Sequence, residues 1–366
     1  MNPLWLLQIK AIVRLELRKT FFARRGIWIY LLALAPVALF IAQALVENHF
    51  RGEMESVPPT VRRVSDQDLS GIQPGMNLNA VTAKLGPPYA HHVVNHPAQS
   101  QPGHIENVRT DILKYPSETG ELTVILENNA VTTTESRSSG ITFEKAGYIF
   151  AGVFQFFFIR LAVFFGCLGI FMNLIRGEML DRTLHFYLLA PVRREILIAG
   201  KYLAGLLAAT VIFTASTALQ LFAESLAFDS NTISLFLYQQ HGFAQIGAYL
   251  AVTALACAGY GSVFLAAGLL FRNPIIPAVI VLIWEAANPL LPSLLKKISV
   301  IYYLKSMCPV QVPVDPGMPK LFALLVSDTE PVSGYVAVLG LIALSAIVLY
   351  ASSRRVRRLE INYTTE

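Results

Sequence analysis

Six runs of mostly apolar residues dominate the chain, at 27–45, 148–175, 202–227, 244–271, 275–293 and 335–353. A helix of ~20 apolar residues, rising 1.5 Å per residue, crosses the ~30 Å hydrocarbon layer of a bilayer. Each run therefore predicts a transmembrane helix. Residues 46–147 break the pattern: they are polar, hold eight prolines and offer no spanning run. The predicted fold class is an all-α polytopic membrane protein of six transmembrane helices, with a small α+β extracytoplasmic domain between helices 1 and 2.

Periodicity refines both parts. In residues 3–24, Lys10, Arg14 and Arg18 recur every four positions and form a charged stripe, with Trp5, Ile9, Ile12, Val13 and Phe21 roughly opposite. A basic face with an apolar back, directly before a span, predicts an interfacial helix within residues 1–26; a merely solvated juxtamembrane helix is the plainer alternative. Within 46–147, Met76, Leu78, Val81 and Leu85 fall at helical spacing, and Gly86-Pro87-Pro88 ends the run. Asn107–Tyr115 and Glu121–Thr134 predict strands; a turn at Asn128-Asn129 would let the second fold as a hairpin.

Composition agrees with the spans. Of 366 residues, 54% are hydrophobic and only 14% charged, against about 25% in soluble domains. The net charge of +5 does not point to nucleic acid, because Lys and Arg cluster at the ends of apolar runs and no basic groove with interleaved aromatics appears. Residues 1–26 hold six Lys/Arg, 176–201 five and 354–366 four, while 228–243 has none. That bias places both termini in the cytoplasm and the chain in a cytoplasmic (bacterial inner) membrane. The N-terminus is not expected to be a cleavable signal, since charges interrupt its apolar residues. The three cysteines suggest neither a disulfide framework nor a zinc site.

The segment 174–201, LIRGEMLDRTLHFYLLAPVRREILIAGK, carries the functional signal. Arg176 stops a span, Glu178, Asp181 and Arg182 form a charged turn, and Thr183–Leu189 is a short apolar stretch. Pro191 then redirects the chain before Arg193, Arg194 and Glu195. Such a piece, held by charged ends at the membrane face, can press into a cleft on a soluble partner. Positive-inside statistics alone would supply the arginines, but not the ordered Glu, Thr-Leu, Pro-Val-Arg, Gly-Lys series.

That series, at Glu178, Arg182-Thr183-Leu184, Leu188–Arg193 and Gly200-Lys201, resembles the type-2 ABC exporter permeases. The family usually has Gly where Arg182 stands. The resemblance implies a coupling helix docking on an ABC ATPase subunit through Glu178, Arg182, Thr183, Pro191, Arg193 and Arg194. It also implies a second permease copy or a paralogue beside this chain, and ATP and Mg bound by the ATPase. The chain itself needs no cofactor and lacks a P-loop. Its only Gly-Lys is followed by Tyr202, and Glu195 stands where the upstream glycine should be. Residues 68–136 resemble, separately, the small lipoprotein fold of outer-membrane assembly factors, which implies a protein-interaction module. The rival reading is a non-transport scaffold or sensor whose extracytoplasmic domain binds a partner protein.

Other candidates are weaker. Arg160 and Glu285 lie 15 and 13 residues inside their spans, ~20 Å from the cytoplasmic boundary. An isolated charge there costs at least ~2.5 kcal/mol, so either the two pair or each faces a wet pathway. Glu285, Asn288, Pro289 and Pro292 suggest a gate or hinge, or else a span's end before a re-entrant 294–334 segment. His91, His92, His96 and His104 sit between prolines, and a solvated loop is expected ahead of a metal site. No zinc-protease motif or nucleophile elbow is present. No catalytic residue is assigned.

Overall fold

The computed structural model describes residues 3–22, 26–55, 63–65, 68, 71–101, 104–117, 120–138, 141–180, 193–271, 273, 275–313 and 332–357. The chain divides into two compact units, Met1–Ile41 with Glu144–Glu366, and Ala42–Phe143. Among the described residues, five helices are long and apolar enough to cross a membrane: Ile27–Gly52, Phe143–Ile175, Glu195–Ser225, Gly242–Leu270 and Gly334–Arg355. The chain is a multi-pass membrane protein by that pattern. The fifth of the six expected spans, 275–293, is a shorter element.

In the helical unit, α1 (Pro3–Phe22) precedes α2 (Ile27–Glu55). The second span starts as α4 (Phe143–Gly152), passes through an eleven-residue π-helix (Val153–Val163) and continues as α5 (Phe164–Leu180). Next come α6 (Arg194–Ser225), a short α7 (Ser230–Gln239) capped by Asp229, and α8 (Gly242–Leu270). Rich in Ala and Gly, α8 lies centrally against α5, α6 and α12 (Gly334–Arg357). Small residues let helices approach closely where lipid offers no hydrophobic drive to associate. Hydroxyls then bind helix to helix: Thr217 and Thr253 hydrogen-bond at 2.9 Å, and Ser216 donates to the Ala33 carbonyl at 2.5 Å.

The π-helix has a packing rationale. Phe150, Phe154 and Phe158 stack successively at 5.9 and 5.5 Å, and Tyr249 of α8 meets the first two edge-on at 5.0 and 4.8 Å. Widened i→i+5 turns are uncommon and tend to mark functional segments; this one carries Arg160.

The expected fifth span consists of α9 (Ile275–Ala287), a 3₁₀ turn Asn288–Leu290 and a return through α10 (Ser293–Lys296) to α11 (Val300–Met307). Pro289 and Pro292 stop the helix ~10 Å short of a full crossing. In α11, Val300 to Leu304 are buried, and the helix packs on α8 and α12.

The other unit holds α3 (Leu78–Leu85) and a four-stranded antiparallel meander: β1 (Ala90–Gln101), β2 (His104–Pro116), β3 (Gly120–Glu127) and β4 (Ala130–Ser138). Asn77 caps α3 by accepting from the Ala80 amide, and Gly86, at φ 88°, ends it. Asn128 and Asn129 both adopt positive φ, as a tight hairpin turn requires, so the run 121–134 is a hairpin. Its core is Val64, Val81, Leu85, Leu113, Tyr115, Leu122, Val124, Leu126 and Val131. Strand β1 was not expected. Polar, proline-containing and without alternation, it is an edge strand held by pairing with β2.

Candidate functional site

The face of α1 opposite its basic stripe packs on α6. Lys10, Arg14 and Arg18 are exposed, while Ile12 and Glu16, one turn apart, are buried. Ile12 sits where a side chain on Gly200 would be: a Cβ there would lie 2.9 Å from its Cγ2. Lys201, the next residue, points its ammonium at Glu16 at 2.7 Å and donates to the Leu174 carbonyl of α5 at 2.8 Å. Lys201 is 1% exposed and Glu16 3%. Above this pair, Arg193 precedes the first turn of α6 and lays its guanidinium over the Trp5 ring, 5.0 Å from the centroid, a cation–π contact.

These contacts define the base of the 176–201 loop. Its descending helix, its returning helix and α1 meet at one buried ion pair. Gly200 leaves no slack between α6 and α1, and Lys201 joins three helices at once. Of the residues expected to dock a partner, Arg193 is in this junction. Glu178 lies in the last turns of α5 and Arg194 opens α6, and their side chains lie outside the described residues. So do Arg182, Thr183 and Pro191 entirely.

Glu16 went unnoticed in the sequence. The signal was available: an acid four residues after Ile12, on the apolar side of a basic helix, demands a buried cation. Lys201 also explains why α6 begins well before the apolar run at 202; with its charge paired, the helix extends to Arg194.

The intramembrane charges are arranged differently from a direct pair. Glu285 is buried, and its carboxylate accepts from Ser299 Oγ at 2.7 Å and from the Val300 and Ile301 amides at 2.9 Å each. It thereby caps α11 from α9. Asn288, one turn on, donates to the Lys296 carbonyl at 3.2 Å, so the two side chains fasten the return. Pro289 follows Asn288 in the same 3₁₀ turn. Among the described residues no ion pair joins Arg160 to Glu285. The Arg160 guanidinium lies over the Phe156 ring at 5.5 Å. It borders a cavity of about 10 Å³ with Gln155, Ile159, Ile301, Lys305 and Cys308, room for about one water.

The histidines are not in a loop. His91, His92 and His96 lie in β1 and His104 starts β2. Adjacent strand residues face opposite sides, which separates His91 from His92. Among the described residues no group of three His, Cys, Asp or Glu side chains could hold a metal. His91 instead contacts Asp111 at 2.9 Å, and Arg109 bonds the same carboxylate through both Nε and a terminal nitrogen at 3.1 Å.

Burial pushes the Asp111 carboxyl up, but the bonds and charges of Arg109 and His91 outweigh it and hold it below the usual carboxylate value. With the folded value below the unfolded ~3.9, this cluster contributes stability above that pH and loses it as pH falls through the folded value. The protection factors of the β1 and β2 amides, with the intrinsic pH dependence of exchange divided out, should therefore be flat from neutral to about pH 4 and fall below it. Asp111→Asn should remove that acid limb; an unchanged limb would assign it to other carboxylates.

Comparison with known proteins finds no matching family model, no similar curated protein and no similar solved structure.

Proposed function

We propose that this chain is the membrane-spanning permease subunit of an ATP-driven ABC exporter. A separate ATPase subunit would hydrolyse ATP and move a substrate across the bacterial inner membrane. The observation that carries this reading is the junction at the base of the 176–201 loop. A loop bearing the Glu, Thr-Leu, Pro-Val-Arg series gains a mechanical role when its exit is joined to two other helices by Lys201, Glu16 and the Leu174 carbonyl. ATP-driven closure of the ATPase would push the loop, and α1, α5 and α6 would move as one piece. Two permease chains, identical or related, would enclose the pathway, with both termini cytoplasmic and the 46–147 domain outside. The resemblance of that domain to an interaction module supports a protein partner there.

The test is purification from native membranes in mild detergent, with mass spectrometry of what co-purifies. A near-stoichiometric protein carrying a P-loop is expected; another partner in its place would favour the scaffold or sensor. In the assembled complex, Arg193→Glu with Arg194→Glu should lower permease-stimulated ATPase activity by tenfold or more while the chain still inserts. A cation-to-anion change at a charged interface costs several kcal/mol, and 1.4 kcal/mol is already tenfold. Normal stimulation would remove the loop from the docking surface.

A further inference from the structure

Three polar side chains recur at every fourth residue of α6: Ser216, Gln220 and Glu224. In a helix that spacing stacks them one turn apart on one face, and long side chains lean back towards the preceding turn. Ser216 and Gln220 are buried, at 2% and 0% exposure. Ser216 has one hydroxyl proton, and it goes to the Ala33 carbonyl of α2 at 2.5 Å. The same oxygen accepts from Gln220 Nε2 at 3.0 Å. This order fixes the Gln220 amide: turned over, its oxygen would face a hydroxyl oxygen whose proton is already used. The amide oxygen, Oε1, is left over. It is buried without a hydrogen-bond partner, and no water has room beside it.

Glu224 presents the complementary anomaly. It is half-buried, and among the described residues no hydrogen bond or ion pair reaches its carboxyl group. The other buried acids of the helical unit each have partners: Lys201 for Glu16, and a hydroxyl and two amides for Glu285. The titratable group facing Glu224 is Tyr249 of α8, with Cys308 beyond it, and no Lys, Arg or His of the described residues does so. Two oxygens that only accept, one turn apart and both without a donor, are unfavourable inside a membrane protein. One proton on the carboxyl group answers both: the acid becomes neutral, and its O–H can donate to Gln220 Oε1. The other side chains one turn away on α6 have no proton to spare. Ser216 is committed to Ala33, and Thr217 to the Phe213 carbonyl at 3.0 Å and Thr253 at 2.9 Å.

We infer that Glu224 is a proton-binding site, a carboxylic acid held neutral at neutral pH and donating to Gln220 Oε1. The hydrogen bonds then run one way, from Glu224 through Gln220 and Ser216 to the Ala33 carbonyl, and tie α6 to α2. Removing the proton sets a carboxylate against an amide oxygen and breaks the relay at its first step. Glu224 immediately precedes Ser225, the last residue of α6, so the proton exchanges with the medium at the end of the helix that leads to α7.

The experiment uses the full chain in phosphatidylcholine nanodiscs, treated with dicyclohexylcarbodiimide, which reacts with a protonated carboxyl group rather than a carboxylate. Mass spectrometry at neutral pH should find the N-acylurea adduct on Glu224, and its yield should fall as pH rises. Infrared spectra of the same sample should show a neutral carboxylic acid band that Glu224→Gln removes. That variant should melt at the native temperature at neutral pH, because its amide N–H donates to Gln220 Oε1 in place of the acid. In Gln220→Leu the acid has no acceptor, and its band should shift to higher frequency. No adduct on Glu224 at neutral pH, an acid band unchanged in Glu224→Gln, or a band unmoved by Gln220→Leu would each overturn the inference. The carbodiimide arm needs no variant, so it decides the matter even if a substitution impairs folding. None of the arms involves an ATPase, so their failure is distinct from failure of the exporter reading.

Discussion

Lys201→Met is expected to destabilise the helical unit by ~3–5 kcal/mol, because it breaks a buried ion pair by removing one member. Glu16 is on the packed face of α1, and burial removes the water that would otherwise solvate it. The Leu174 carbonyl loses its extra donor at the same time. Glu16→Gln should cost less, since a neutral amide can still accept from the Lys201 ammonium. The informative variant is the double one. Lys201→Met with Glu16→Leu replaces a buried ion pair by apolar side chains of similar volume, a change that is often neutral or stabilising. A coupling energy of several kcal/mol in the double-mutant cycle, measured by unfolding in detergent, is the expected result. A loss below ~1 kcal/mol for Lys201→Met would make the pair equivalent to a solvated surface bridge and remove the argument that α1 moves with the loop.

How much of this could be read beforehand depends on where the information resides. The spans were legible because a bilayer imposes length and hydropathy directly on local sequence. The short helix α3 and the turn at Asn128-Asn129 were legible for a similar reason: capping and positive φ are chemistry of one or two residues. Strand β1 was not, because AHHVVNHPAQSQ has neither alternation nor β-branched density, and it forms a strand only through its partner β2. The stretch 275–293 read as a span by hydropathy. Its folding back depends on Glu285 meeting amides about 15 positions away, a relation that no local window contains. The loop junction was half visible. Gly200-Lys201 stood out in the series, but the Glu16 that gives Lys201 its purpose is 185 residues distant.

Glu285 invites the second large effect. Its carboxylate is not a free charge in the membrane but the cap of α11, and two buried amides and a hydroxyl depend on it. Hydrogen bonds to a charged acceptor contribute ~1.5–3 kcal/mol each, and a buried donor left unpaired costs ~1–3 kcal/mol. Glu285→Leu should therefore cost ~4 kcal/mol or more and release α11 from its seat on α8 and α12. Glu285→Gln should fall between. Its one carbonyl oxygen can serve two donors, while its NH₂ group faces an amide that also donates. Cys308 reports the release directly: it follows α11 and is buried, at 7% exposure, as are Cys167 and Cys257 at 0%. Maleimide labelling of Cys308 should rise in the order native, Gln, Leu, with Cys167 and Cys257 staying unreactive. Had Glu285 been held mainly by Arg160, Arg160→Gln would speed hydrogen exchange of the α11 amides as strongly as Glu285→Leu. The geometry predicts that it does not, because the three bonds to Glu285 come from residues 299–301 and survive the loss of the guanidinium. Equal exchange in both variants would return the two charges to a single pair.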